Sequence, residues 1–394
     1  MKALTVQQVA EMSGGRVVQG DSSQTITSVS TDTRNIPEKA LFVALVGERF
    51  DAHDFLEKAI EAKANALLVG RVPNEIEGCP IILVNDTLAG LQQLAKAYRR
   101  LLPTKAVVVT GSNGKTSTKD MIRAVLGSKF RVTATLGNLN NHIGLPLTIL
   151  STNPEDDFGI WEIGMNHPGE TAPLAEIAAA DIGVITNIGT AHIGNMGSRE
   201  AIAQEKGMLA ESLGKEGLLV LNANDEFTSS IGARTSARVV TAGIDVGEVR
   251  ATNLKMLENG TGFDLTFQGE SAHVTLPIPG RHMVSNALLA AAVGVEAGLS
   301  SHEIAEALSA VQLTPGRLQM LEYQGVRVIN DAYNANPDSM RASLTTVGAM
   351  KTAGKRFAIL GQMGELGDSS EQAHREIGQL AVAEGFDHVC SVTE

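Results

Sequence analysis

Short apolar runs alternate with helical periods along almost the whole chain. ALFVAL (Ala40–Leu45) and ANALLVG (Ala64–Gly70) read as buried strands, with the helical stretch DAHDFLEKAIEAK between them. Ahead of them, ITSVSTDTR alternates Ile and Val with hydroxyl residues, the pattern of a half-exposed strand. LAGLQQLAKAYRRLL predicts a helix that stops before Pro103.

The pattern changes at KAVVVTGSNGKTSTKDMIRAVL, where a buried strand, a Gly-rich turn and a helix follow one another. A parallel nucleotide-binding sheet opens in this way. FGIWEIG, DIGVITNI and GLLVLNA supply further buried strands with helices between them, so the alternation predicts one doubly wound α/β domain from about Ala106 to Leu313. Inside it, VRATNLKMLENGTGFDLTFQGESAHVTLPIPG reads as a β-meander turning at Asn259-Gly260 and Gln268-Gly269. Near Thr314-Pro315-Gly316 a third unit begins, with strands at VRVIND, RFAILG and HVCSV and helices at SMRASLTTVGAM and SEQAHREIGQLAVAEG. The expected domains are therefore 1–102, 103–313 and 314–394, the last with room for only three strands. It reads as incomplete, with an open sheet edge at its end.

Composition narrows the class. A chain of 394 residues exceeds one ordinary hydrophobic core, so several domains are expected. Glu11 and two glutamines interrupt the first residues where an export signal needs a continuous apolar stretch, and no apolar run is long enough to span a bilayer. Two cysteines, Cys79 and Cys390, lie far apart in no metal-type spacing, which excludes a disulfide framework and suits a reducing compartment. The expectation is a soluble cytoplasmic protein. A net charge of −12 argues against a nucleic-acid partner, while leaving room for an anion held by helix N-termini and a few placed cations.

Chemistry enters at Gly111-Ser112-Asn113-Gly114-Lys115-Thr116. Glycines let the backbone turn its N–H groups towards phosphate, Lys115 can reach the outer phosphates, and the Thr116 hydroxyl can ligate Mg²⁺. The spacing is G-x-x-G-K-T, shorter than the general phosphate loop, which would place Gly where Val109 stands. Glu162 closes the apolar run Phe158–Trp161, at the strand edge where an open sheet keeps its ligand crevice; read alone, it fits a surface acid equally well. His192 lies just past the next strand, and Lys206 lies on a helix that Ser198 and Glu200 predict to start near Ser198. By themselves a loop histidine and a helix lysine are ordinary polar residues.

Taken in order, TGSNGKTS, WEIG, NIGTAHIG…EKG, PGRHMVSNALLA, PGRLQ and INDAYNANPDSM resemble the Mur ligase family, over a span from about Ser30 to Gly367. NDAYNANPDSM, TLGNLNNHIGLPLTIL and ALFVALVGERFDAHDF are similar to the branch that adds D-Ala-D-Ala. The resemblance implies a three-domain α/β fold. A small N-terminal domain would bind a UDP-muropeptide, a central P-loop domain would bind ATP, and a Rossmann-like C-terminal domain would receive the dipeptide. It further implies ATP and Mg²⁺ as cofactors, with UDP-N-acetylmuramoyl-tripeptide and D-Ala-D-Ala as substrates, in a monomer of peptidoglycan synthesis.

Residue by residue, Gly111, Ser112, Asn113, Gly114, Lys115, Thr116 and Ser117 would cradle ATP, with Thr116 on the first Mg²⁺. Glu162 and His192 would hold a second Mg²⁺, supported by Lys206 as a carbamate. Asn286 would face the adenine, Arg317 the phosphates, Asp331 the ribose, and Asn334 the base. Asn138, Asn140 and Asn141 would touch the UDP-muropeptide. Thr31, Asp32, Thr33 and Arg34, with Gly47, Arg49 and Phe50, would shape the uridine-nucleotide pocket. Two departures stand out: Met283 occupies a position where relatives carry Asn, and the chain ends before the late Lys-Gly-Ser segment of relatives. Competing readings are the ligase that adds the third amino acid, a folylpolyglutamate synthase-like enzyme, a non-catalytic binder, and a P-loop kinase or GTPase. Thr116 in place of Gly counts against the synthase, and a missing guanine-reading motif counts against the GTPase.

Overall fold

The computed structural model describes residues 1–73 and 76–392; the expected end of the third domain at 394 lies outside them. Two compact units form. The first comprises Met1–Ala106, Arg131–Ile163 and Pro173–Ala179, and the second comprises Val107–Phe130, Gly164–Ala172 and the chain from Ala180 onward.

The first unit carries a sheet of five strands in the order Arg16–Gln19, Ile81–Leu83, Ala66–Val69, Ala40–Val43, Ser28–Ser30. Its three inner contacts are parallel and the Arg16–Gln19 edge is antiparallel. Ala40–Val43 and Ala66–Val69 are buried at every position, which is why both read as continuous apolar runs rather than alternating ones. Asp86 caps the helix Thr87–Arg99, its carboxylate accepting the Ala89 N–H at 2.7 Å. The far end of that helix is buried and polar. The Tyr98 hydroxyl donates to the Thr152 carbonyl at 2.9 Å, and Arg99 donates to Ala178 and Ala179. These bonds fasten Arg131–Ile163 and Pro173–Ala179 to the N-terminal residues. Within the same unit, Phe158–Glu162 runs parallel to Val132–Ala134.

In the second unit Lys105–Thr110, Ile182–Ile185, Leu218–Asn222, Arg238–Ile244 and Val249–Leu257 follow one another in parallel. The meander then adds Gly260–Phe267 and Glu270–Leu276 antiparallel, as expected. The helix Arg281–Glu296 packs on the helix Lys115–Gly127. On the latter, the Asp120 carboxylate accepts the backbone N–H of Thr314 at 2.8 Å.

Beyond Thr314 the strands differ from expectation. Gln319–Tyr323, not anticipated, forms an antiparallel hairpin with Val326–Asn330. Phe357–Leu360 and His388–Ser391 form a separate parallel pair. Gln319–Tyr323 escaped notice because its residues are half or fully exposed and show no buried alternation. The helices Pro337–Ala349 and Ser370–Ala383 surround a small core of Leu344, Ala358, Met363, Leu366, Ile377, Ala381 and Phe386. No helix among the described residues is long and apolar enough to cross a membrane.

Candidate active site

The loop Gly111–Gly114 joins the strand Lys105–Thr110 to the helix that Lys115 opens. Its shape is fixed from below by Thr186 and Asn187, at the end of the neighbouring strand. The Asn187 carbonyl and side chain accept the N–H groups of Ser112 and Asn113 at 2.9 and 3.0 Å, and the Thr186 hydroxyl donates to the Asn113 carbonyl at 2.6 Å. Gly114 has φ +79°, and a Cβ there would lie 2.5 Å from Asn286 Oδ1. Only glycine fits both the backbone and the neighbour. The helix Lys115–Gly127 presents its N-terminus to this loop, a place where anions are favoured. Lys115 Nζ folds back over the loop, donating to Gly111 O at 2.9 Å and Ser112 O at 3.3 Å. Thr116 and Ser117 are buried on the first turn.

Residues from after Thr314 join this loop. Arg317 Nη2 lies 3.4 Å from the Thr116 hydroxyl, and its guanidinium stacks 4.1 Å from the Tyr333 ring centroid. Asn336 Nδ2 donates to Asn113 Oδ1 at 2.6 Å. Asp331 accepts the Leu318 N–H at 3.0 Å and the Ser343 hydroxyl. Burial raises the Asp331 carboxyl above its usual range, opposed by those two bonds and by Arg317. Asn334 is exposed, its Oδ1 accepting the Ala335 N–H. Asn286 is buried against the loop at Gly114, with Met283 Sδ 3.7 Å from its Nδ2.

His192 caps the short helix Ile193–Met196 in a left-handed conformation, φ 65°. Its Nδ1 pairs with the Glu365 carboxylate. Burial holds this imidazole below its ordinary range, Lys115 and Lys206 adding to the effect and Glu365 opposing it. Lys206 ends the helix Arg199–Lys206, which Ser198 caps as expected. Its ammonium position is fully buried and has no hydrogen-bond partner among the described residues. Burial, then the nearby Lys115 charge, push its pKa well down, with Glu205 pulling the other way. Glu205 is itself held by the N–H groups of Gly169 and Thr171 at 2.9 and 2.7 Å.

The remaining expected residues lie in the first unit. Glu162 is buried at the end of its strand, its N–H donating to the Thr135 hydroxyl at 2.9 Å and its Oε1 accepting from Asn140 Nδ2 at 2.7 Å. Asn141 Oδ1 accepts the N–H groups of Ile143 and Gly144, shaping the entry to the helix Gly144–Ser151, and the Asn138 carbonyl accepts the Asn140 N–H. Thr31–Arg34 follow the strand Ser28–Ser30, and Arg34 grips the Asp32 carboxylate, holding it at about 2. Gly47 N–H donates to the Phe50 carbonyl at 2.7 Å, leaving Arg49 exposed and Phe50 stacked on Phe55.

Reading the sequence missed several participants. Asp51 holds both His53 and Arg71, and His53 Nε2 accepts the Gly70 N–H at 2.9 Å, so three side chains brace the base of the Gly47–Phe50 loop. Asn336, Asp338 and Glu365 went unremarked as well. Asn336 carried a usable signal, an Asn directly before Pro337 at a helix start.

Within the second unit, the Thr116 hydroxyl and the His192 imidazole are hard or borderline donors that suit a divalent cation, and within the first unit the Glu162 carboxylate is a hard donor. Mg²⁺ ordinarily draws on few protein groups, filling its shell with phosphate and water. No group of three or more His, Cys, Asp or Glu side chains is gathered for metal binding among the described residues.

Comparison with known proteins identifies the family. Residues 109–294 match the Mur ligase middle domain and residues 316–394 the Mur ligase glutamate ligase domain. The UDP-N-acetylmuramoyl-tripeptide–D-alanyl-D-alanine ligase of Bacillus subtilis is 41% identical over 389 residues, covering 98% of this chain and 84% of the relative. A crystal structure of MurF from Acinetobacter baumannii superposes with a TM-score of 0.93 at 33% identity, covering 100% of this chain and 86% of its own. The Thermotoga maritima MurF ligase in complex with ADP does so with a TM-score of 0.81 at 26% identity, covering 93% and 88%. The chain belongs to the Mur ligase family, among its UDP-N-acetylmuramoyl-tripeptide–D-alanyl-D-alanine ligases.

Proposed function

We propose that the chain joins D-Ala-D-Ala to UDP-N-acetylmuramoyl-tripeptide at the expense of ATP, as a monomer in the cytoplasm. The observation that carries the reading is the convergence of Lys115, Arg317, His192 and buried Lys206 about one phosphate loop. The ADP bound by the Thermotoga relative supports ATP as the nucleotide. The expected domains follow: 1–102 for the UDP-muropeptide, 103–313 for ATP and 314–394 for the acceptor.

A carboxylate does not condense with an amine in water, because it is a poor electrophile with a poor leaving group. Transfer of the γ-phosphoryl group to the tripeptide's terminal carboxylate gives an acyl phosphate and ADP. The amino group of D-Ala-D-Ala attacks that carbonyl, loses its proton, and phosphate departs with the amide formed. Phosphoryl transfer needs mostly position and countercharge. Lys115 and the amides of the helix start supply both at the outer phosphates, and Arg317 supplies a further cation beside Thr116. Thr116 would hold one Mg²⁺, and Glu162 and His192 are each expected as ligands of a second; when bound, Mg²⁺ would supply countercharge to the transferring group and the substrate carboxylate. A neutral amine is the form that adds carbon dioxide, so the low pKa of Lys206 supports a carbamate there, its new carboxylate backing the metal.

Incubation with Mg²⁺-ATP and UDP-N-acetylmuramoyl-tripeptide, with and without D-Ala-D-Ala, tests the reading. Dipeptide-dependent phosphate release, with a nucleotide product heavier by D-Ala-D-Ala less water, is expected. Phosphate release indifferent to the dipeptide would sink it.

A further inference from the structure

The loop between the strand Ile182–Ile185 and the helix Arg199–Lys206 carries His192, yet most of what shapes it comes from after Thr314. Asp338, in the first turn of the helix Pro337–Ala349, accepts the Thr190 backbone N–H at 2.6 Å and its hydroxyl at 2.9 Å. Two residues on, the Glu365 carboxylate takes His192 Nδ1. Two residues further, the Glu365 backbone carbonyl accepts the Gly194 N–H at 3.0 Å. The approach at Gly194 is close: a Cβ would lie 2.7 Å from both Glu365 O and Gly367 N. Between these anchors His192 sits at φ 65°, a conformation uncommon for a residue with a side chain.

We propose that Asp338 and Glu365 are positioning residues that together hold the 190–194 loop and aim His192, so that metal binding at His192 depends on the docked segment beyond Thr314. The inference rests on the reading above that His192 is a metal ligand. Glu365 occupies one ring nitrogen, which fixes the tautomer with the proton on Nδ1 and leaves Nε2 as the ligating atom. Metal-bound histidines are ordinarily oriented in this way by a carboxylate on the other nitrogen. Here that carboxylate belongs to GQMGELG, the stretch between the strand Phe357–Leu360 and the helix Ser370–Ala383. The segment expected to receive the dipeptide thereby reaches the 190–194 loop through two side chains, Asp338 on Thr190 and Glu365 on His192.

Mn²⁺ binding measured by electron paramagnetic resonance, on the full chain with a non-hydrolysable ATP analogue, tests this beside His192→Ala. The Mn²⁺ site lost in His192→Ala should weaken about 10–100-fold in Glu365→Ala and in Asp338→Ala, the loss typical of removing an outer partner of a ligand. Glu365→Gln and Asp338→Asn keep an oxygen acceptor and should stay within about 3-fold of the parent, which separates positioning from damage to folding. The alanine variants should lower kcat with KM for ATP little changed. Parental Mn²⁺ affinity in either alanine variant, alongside loss in His192→Ala, would overturn the inference alone. Parental affinity in His192→Ala would remove the metal-ligand reading, and the inference with it.

Discussion

Asn140 donates its side-chain amide to the buried carboxylate of Glu162 at 2.7 Å, tying the loop after Val132–Ala134 to the end of Phe158–Glu162. One residue is expected at the muropeptide and the other at a metal, so the bond couples substrate loop to metal ligand within the first unit. A hydrogen bond to a charged group contributes about 1.5–3 kcal/mol. Asn140→Ala should therefore lower kcat/KM for the UDP-substrate roughly 10–100-fold. Asn140→Asp, which sets a second carboxylate against Glu162, should be worse. Steady-state kinetics with the UDP-substrate varied would decide, and a parental value for Asn140→Ala would remove the coupling.

Lys115 holds its own loop carbonyls where outer phosphates are expected. Loss of one preorganised charge contact of this kind typically costs about 10²–10³ in rate. Lys115→Ala should lose turnover by that factor or more while calorimetric titration shows UDP-substrate affinity unchanged. Full activity would remove the phosphate role.

Gly114 and Asn286 occupy one another's space. Gly114→Ala adds a Cβ at 2.5 Å from Asn286 Oδ1 to a backbone already at φ +79°, so about 1–3 kcal/mol of stability should be lost together with ATP binding. Removing the clash with Asn286→Ala in the same chain should recover part of that stability but not the backbone component. Thermal melts of the two single variants and the double variant would close the cycle, and strict additivity would show that the two positions do not interact.

Lys206 gives a pH signature. Its pKa is well below the ordinary 10.5 through burial first and Lys115 second, so the folded chain binds fewer protons here than the unfolded chain. The folded state therefore carries a cost below the lowered pKa, and stability rises with pH across the window from that value up to 10.5. Lys206→Met has no such dependence. It should be more stable than the parent at pH 6–7, with the difference shrinking as pH climbs towards 10. Denaturant melts at several pH values, in bicarbonate-free buffer, would show it. A pH-independent difference would mean that the buried amine is not the cause.

The sequence disclosed the parallel sheet and the phosphate loop because both follow local rules. Val107–Val109, Ile182–Ile185 and Leu218–Leu221 are buried on both faces and read as unbroken apolar runs, and Gly111–Thr116 keeps its chemistry within six consecutive residues. Lys206 was visible only through resemblance, since burial of a lysine leaves no mark in its own neighbourhood. Asp338 and Glu365 stayed hidden for a related reason. Their partners Thr190 and His192 lie 148 and 173 residues away in sequence, and no spacing rule reaches that far. The hairpin strand Gln319–Tyr323 was invisible because it buries almost nothing.

The bond from Thr314 to Asp120 has a mechanical consequence. Asp120 rides on the helix that Lys115 begins, so the polypeptide leaving the central sheet is nailed to that helix. The turn after that bond is restricted too, because the Pro315 ring fixes its own φ and Gly316, at φ +79°, donates to Gln319 and accepts from the Tyr333 N–H. That constrained turn delivers Arg317, whose guanidinium rests beside Thr116. The course of the chain beyond Thr314 is thus set by the helix that opens at Lys115, as a gate takes its line from the post it is fixed to.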